Sequence, residues 1–242
     1  MQIKQAEFIK SVAGVNDLYE SELAEIAVVG RSNVGKSSLI NAITNNGKLA
    51  RVSNTPGRTR LINYFLVTVK APVSVGAPTS LRGGFADKTT NQSNNKPACK
   101  FPSKIEGCCD SSGMCDGAFL LVDLPGYGYA KASKQQQAKW GELIEGYLKA
   151  SKNLKAVYLL LDIRNEPTVQ DRQMLSFLVF YNIPVIFVAT KADKLSKMQA
   201  QNQLNKLAAA LKITKNNIIL TSSTKKAGVE ELISSMEQRL QV

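Results

Sequence analysis

The sequence contains no histidine. That excludes histidine-based acid–base catalysis and histidine-ligated metals. Long apolar runs are missing as well. The longest, 118–122, 157–161 and 185–189, have the length of buried strands. A membrane-spanning helix needs ~20 apolar residues, so none is expected. Cysteine is scarce, four in 242 residues, too few for a secreted disulfide scaffold. The N-terminal stretch MQIKQAEFIK has neither the apolar core of a signal peptide nor the arginine-rich bias of a transit peptide. A cytoplasmic monomer is the expectation. Acidic residues are in deficit, 19 against 31 Lys+Arg, for a net charge of +12. This balance suits an anionic partner, nucleic acid first, although a solvated basic surface explains it equally well.

One segment stands apart. Residues 71–116 hold Pro72, Pro78, Pro97 and Pro102, five glycines and all four cysteines, with few large apolar residues. The segment reads as an irregular inserted loop. Cys99, Cys108, Cys109 and Cys115 lack the paired C-x₂₋₄-C knuckles of zinc sites, so free thiols are expected. Its charges nearly cancel, so the positive charge belongs to the remainder of the chain. There, apolar strands at 25–29, 61–69, 119–123, 157–162, 185–190 and 218–221 alternate with helical patterns. The helices fall at 37–44, 133–149, 170–181, 198–212 and 229–240. Such alternation predicts an α/β fold, a mostly parallel central sheet with helices on both faces. Ligands in such folds sit at the carboxyl ends of strands.

Directly after the first core strand comes Gly30-Arg31-Ser32-Asn33-Val34-Gly35-Lys36-Ser37, a G-x-x-x-x-G-K-S loop in strand–loop–helix context. Its glycines let successive backbone N–H groups curl inward onto phosphate oxygens. The helix that follows aims its positive end at the same anion. Lys36 can reach the β- and γ-phosphates, Ser37 can bind Mg²⁺, and Ser38 can reach the α-phosphate. The base is indicated by Thr190-Lys191-Ala192-Asp193 at a later strand end. A carboxylate there accepts two hydrogen bonds from guanine N1–H and the 2-amino group, a donor pair that adenine lacks. The Lys191 stem would cover the base, and backbone N–H groups of Ser222, Ser223 and Thr224 would donate to guanine O6. Asp123-Leu124-Pro125-Gly126 and the upstream Pro56-Gly57-Arg58-Thr59-Arg60 complete five elements in one order.

With these motifs in place, the chain resembles a known family. GRSNVGKSSLINAI, SNTPGRTRLINYF, LVDLPGYGYAKAS, TKADK and SSTKKAGVEEL are similar to the EngB GTPases of the TrmE–Era–EngA–EngB–septin superfamily. The resemblance covers nearly everything outside 71–116. It implies a single P-loop GTPase domain over 1–242 and a GTP-contacting set of matching positions. That set is Gly30, Arg31, Ser32, Asn33, Val34, Gly35, Lys36, Ser37, Ser38, Gly57, Arg58, Thr59, Arg60, Leu61, Asp123, Leu124, Pro125, Gly126, Thr190, Lys191, Ala192, Asp193, Ser222, Ser223 and Thr224. Mg²⁺ would be held by Ser37 and Thr59, and by Asp123 through a water. Asn33 resembles the asparagine that holds K⁺ in related enzymes. The implied role is a GTP-hydrolysing switch in large-subunit assembly, with rRNA and ribosomal proteins as partners, needed for normal septum formation. The alternative is a GTP-regulated scaffold at the division site.

Two features depart from the common pattern. Asp123 lies 64 residues after Thr59, where the family makes a short hairpin. The long insertion therefore falls between the second and third strands of this reading, between the two switch segments. Tyr127 occupies the position after D-x-x-G where Ras-like enzymes carry a water-orienting glutamine. Intrinsic hydrolysis is accordingly expected to be slow. Arg58 and Arg60 read as phosphate or RNA contacts. Trp140 and Tyr147 read as core. Lys149, Lys152 and Lys155 read as an RNA-facing patch or, equally, a solvated helix end.

Overall fold

The computed structural model describes residues 1–50, 61–70, 116–128 and 133–240. In chain order the elements are β1 (Gln2–Val12), β2 (Glu25–Gly30), α1 (Lys36–Ile43), β3 (Ile62–Lys70), β4 (Asp116–Asp123) and α2 (Lys134–Ala150). They continue as β5 (Leu154–Asp162), α3 (Val169–Phe180), β6 (Val185–Thr190), α4 (Lys197–Leu211), β7 (Ile218–Leu220) and α5 (Val229–Leu240).

The strands form one seven-stranded sheet in the order β1-β3-β4-β2-β5-β6-β7. From β4 onward every pairing is parallel, while β3 runs antiparallel to both β1 and β4. β2 is buried along its whole length because side chains from both of its faces enter a core. Ala27 and Val29 face the cluster built by Leu143, Ile144 and Tyr147 of α2 and Leu204, Leu207 and Leu211 of α4. Ile26 and Val28 face the cluster built by Leu39 and Ile40 of α1 and Leu232 and Met236 of α5. A period of two residues thus divides one strand between two helical layers.

β2 has β4 on one side and β5 on the other, so the chain leaves it in one direction and returns in the opposite one. That reversal opens a crevice at the strands' carboxyl ends. The helix boundaries have local causes. Ser133, Thr168 and Ser196 each close a capping box onto the third helical residue, starting α2, α3 and α4.

β1 was not anticipated by the sequence pattern. It is an edge strand, mostly exposed, with register shifts between Ile3 and Gln5 and between Phe8 and Lys10. Each irregularity displaces the inward positions by one, which erases the alternation that marks a strand. The count also shifts, so the insertion falls between β3 and β4 of the full sheet. It begins one residue past Lys70 and ends one residue earlier than expected, because Asp116 already pairs with Lys70. The rest of the insertion, its four cysteines, and Gly57, Arg58, Thr59 and Arg60 lie outside the described residues. No helix among the described residues is long and apolar enough to cross a membrane.

Candidate functional site

The loop between β2 and α1 is shaped by left-handed backbone at Asn33 (φ 62) and Gly35 (φ 108). Gly35 is the N-cap of α1 and supplies no side-chain cap, so the first-turn amides are left for an anion. On its outer side the loop is tied to the segment after β4. The Ser32 N–H donates to the Tyr127 carbonyl at 2.9 Å, and Arg31 and Tyr127 form a parallel bridge. Gly126 lies flat against this turn. A Cβ there would come within 3.1 Å of the Ser32 backbone, so any larger residue would have to push this turn aside.

Lys36 and Asp123 meet in the crevice. Both are buried, with Nζ 3.9 Å from Asp123 Oδ1. Asp123 Oδ2 accepts a hydrogen bond from Asn63 Nδ2 at 3.4 Å, and Asn63 Oδ1 accepts one from Ser11 Oγ at 2.6 Å. Oδ1 itself is buried and has no hydrogen-bond partner among the described residues. Burial pushes the Asp123 carboxyl up from its ordinary range, against the opposing pull of Lys36 and Asn63. An orphaned buried carboxylate oxygen beside a phosphate-binding loop suits a hydrated hard cation. The residues therefore fit Mg²⁺, with the Ser37 hydroxyl one residue along the helix from Lys36.

The second half of the crevice comes from β6 and β7. The Thr190 hydroxyl donates to the Val34 carbonyl at 2.7 Å, binding β6 to the phosphate loop. Lys191 adopts φ 63, and its Nζ donates to the Asn33 carbonyl at 2.6 Å and to Asp162 Oδ2 at 2.9 Å. Arg164 adds three bonds to Asp162, Nε to Oδ1 at 2.9 Å, Nη2 to Oδ2 at 2.7 Å and its backbone N–H to Oδ1 at 3.1 Å. Partial burial raises the Asp162 pKa, but the hydrogen bonds of Arg164 and Lys191 outweigh it and hold the carboxyl at about 2. Asp193 Oδ1 accepts from Ser222 Oγ at 2.8 Å, the main cause of its lowered pKa. The Ala192 N–H donates to the Thr221 carbonyl at 3.1 Å, locking the two loops together.

The comparisons with known proteins agree with this arrangement. Residues 25–191 match the family described as 50S ribosome-binding GTPase. "Probable GTP-binding protein EngB" of Clostridium kluyveri is 42% identical over 238 residues, 98% of this chain and 96% of the relative. The protein of that name from Pelotomaculum thermopropionicum is 39% identical over 234 residues, 96% of this chain and 94% of the relative.

The chain belongs to the EngB family of GTP-binding proteins.

Its P-loop domain is a GTPase domain. A crystal structure of an EngB protein superposes with a TM-score of 0.56 at 21% identity, covering 90% of this chain and 99% of that one. Aquifex aeolicus Era bound to GDP·AlF₄⁻ gives 0.59 at 19% identity, covering 90% of this chain and 57% of that one. Both likenesses establish the fold.

Within this EngB chain, the structure brings together four of the five motifs at the carboxyl ends of β2, β4, β6 and β7. Leu61, the one described residue of the remaining segment's contact set, is half-buried just before β3. The Ser222 N–H donates to the Ala227 carbonyl at 3.0 Å, and the Ser222 hydroxyl donates to Asp193 Oδ1. Tyr127 is also committed. Its hydroxyl donates to Asp171 Oδ1 at 2.8 Å, and Asp171 Oδ2 caps α3 through Thr168. Burial, and then the charge of Asp171, push the Tyr127 pKa well up, so it stays a neutral donor. Trp140 and Tyr147 are core residues, as read. Lys149 is paired with Glu145 at 2.6 Å and lies 5.0 Å from the centre of the Tyr181 ring, which makes it a helix-end contact.

The sequence places Asp162 and Arg164 at a strand end as support for the site or an ion pair, with no chemistry assigned, and the ion pair is present; Asn63 and Ser11 are not singled out by it. Asp162 closes a strand beside a lysine-bearing loop, a signal legible only once β5 and β6 are known to be neighbours. Ser11 carries no motif, and Asn63 lies inside the SNTPGRTRLINYF stretch without being singled out there.

Proposed function

We propose that this chain binds GTP and GDP in the crevice, with Mg²⁺ held by Ser37, Thr59 and, through water, Asp123. Lys36 and the loop amides would hold the phosphates, and Asp193, fixed by Ser222, would select guanine over adenine. The single observation that carries this reading is the orphaned Asp123 Oδ1 opposite Lys36, with the base-reading pair Asp193–Ser222 assembled across the same crevice. Bound Mg²⁺ supplies neutralisation of developing phosphate charge. The chain's own residues position the nucleotide. Hydrolysis is slow, because Tyr127 is held on Asp171 and no glutamine follows D-x-x-G. Asn33, left-handed at the loop's tip, is the candidate K⁺ ligand.

We further propose that the nucleotide state switches a cytoplasmic, monomeric protein on and off the large ribosomal subunit, with a consequence for septum formation. Support comes from the ribosome-binding description of the matching family and from the net charge of +12. Co-sedimentation with purified 50S particles in GTP analogue, GDP and no nucleotide tests this. Pelleting in GTP analogue only is expected. Equal pelleting in all three, or none in any, refutes the switch.

A further inference from the structure

The nucleotide crevice uses only one end of the sheet. At the other end lies a larger cavity of about 740 Å³, where the stretch before β2 folds under β3 and the end of α2. Glu25 opens β2 at this end and Gly30 closes it at the phosphate loop, a separation of about 17 Å for a six-residue strand. The cavity is therefore outside the nucleotide site.

Its lining has a distinct chemistry. Three tyrosine rings run in series: Tyr19 to Tyr64 at 5.5 Å between centroids and Tyr64 to Tyr147 at 6.2 Å. Three glutamates line it, Glu20, Glu22 and Glu25, against one lysine, Lys152. In a chain of net charge +12 the local sign is reversed. Glu25 is only 4% exposed. Its Oε2 accepts from the Tyr147 hydroxyl at 2.6 Å and the Ser151 hydroxyl at 2.7 Å, and neither bond engages Oε1. Burial, and then the charge of Glu25, push the Tyr64 hydroxyl up to about 12 and the Tyr147 hydroxyl well up too. Both therefore stay protonated; each is only 1% exposed, so the half-buried Tyr19 is the tyrosine ring open to the cavity.

A recessed carboxylate beside an accessible aromatic ring favours an organic cation. The ring adds cation–π attraction, and desolvation strengthens both terms. The volume is in the range of small-ligand sites, about 300–1,000 Å³. A bare divalent ion does not match, since among the described residues no group of three acidic or cysteine side chains converges as metal ligands.

We propose that this cavity binds a guanidinium or ammonium group, with Glu25 as its counter-ion and the half-buried Tyr19 ring as its wall. The group has two chemical sources, a free small amine or a basic side chain on a polypeptide.

Calorimetric titration of the full-length chain, loaded with GDP, with N-acetyl-arginine amide tests the proposal. Saturable binding is expected, with a Kd of about 1 mM or tighter. The neutral isostere N-acetyl-citrulline amide should not bind. Glu25→Gln keeps the volume and the hydroxyl partners but removes the charge, and should weaken binding tenfold or more with GDP affinity unchanged. Should Glu25→Gln fail to fold, Tyr19→Ser, which removes that wall in a loop, should weaken binding similarly. Agmatine binding tighter than a blocked Gly-Arg-Gly peptide assigns the site to a free amine, and the reverse assigns it to a polypeptide. No saturation, equal binding of the citrulline compound, or wild-type affinity in the folded variants overturns the proposal.

Discussion

Asp162 offers a sharp test of how the crevice is held together. The substitution Asp162→Asn preserves shape but removes the charge that Lys191 and Arg164 share. Folding lowers this carboxyl from 3.8 to about 2. At ~1.36 kcal/mol per unit, that shift corresponds to about 2.4 kcal/mol of stability at neutral pH. Arg164 is 43% exposed, so solvent screens part of the interaction and about 1–2 kcal/mol is the expected loss. The sign follows from the direction of the shift. A carboxylate depressed on folding contributes its full stability above the unfolded pKa and loses it as pH falls through the folded one. About half of the wild-type advantage should be gone by pH 3, and nearly all of it below about pH 2. Urea unfolding of both proteins at pH 7, 5, 4 and 3 measures this. A difference under about 0.3 kcal/mol at pH 7, or one that does not shrink from pH 5 to pH 3, refutes the reasoning. GDP affinity should fall as well, because Lys191 loses an anchor beside the phosphate loop.

Further expectations concern the same crevice. Asp193→Asn should weaken GTP and GDP binding by roughly 100-fold and improve xanthine-nucleotide binding, since an amide pairs with the 2-oxo group; unchanged GDP affinity in a competition assay would contradict guanine reading. Ser37→Ala should lower Mg²⁺-dependent nucleotide affinity by about tenfold while affinity in EDTA stays constant, read by fluorescent-nucleotide titration. GTP hydrolysis should be faster in K⁺ than in Na⁺ at matched ionic strength if Asn33 holds the cation, and equal rates would dismiss that role. Replacing 71–115 with Asn-Gly should leave GDP affinity within a few-fold. Lys70 and Asp116 are direct antiparallel partners, so a two-residue turn can join them. Loss of folding in that protein would show the segment to be a structural module.

Local chemistry made much of the molecule legible from residues alone. G-x-x-x-x-G-K-S needs its glycines and lysine in fixed order within a single turn, and T-K-A-D places its carboxylate within four residues of a strand end. The parallel strands were readable because each is short, apolar and buried on both faces, and because helices with a clear apolar stripe separate them. Tertiary structure decided what depends on neighbours distant in sequence. Ser11, Asn63 and Asp123 form one hydrogen-bonded chain only because β1, β3 and β4 lie side by side. Ser222 spends its amide on Ala227 and its hydroxyl on Asp193, a division of labour set by how the β7 loop folds back. The cavity draws Tyr19, Glu25, Tyr64 and Tyr147 from three elements and the loop before β2. A motif encodes contacts along the backbone, whereas a hydrogen-bond chain or a cavity encodes contacts across it, and only the folded sheet supplies those.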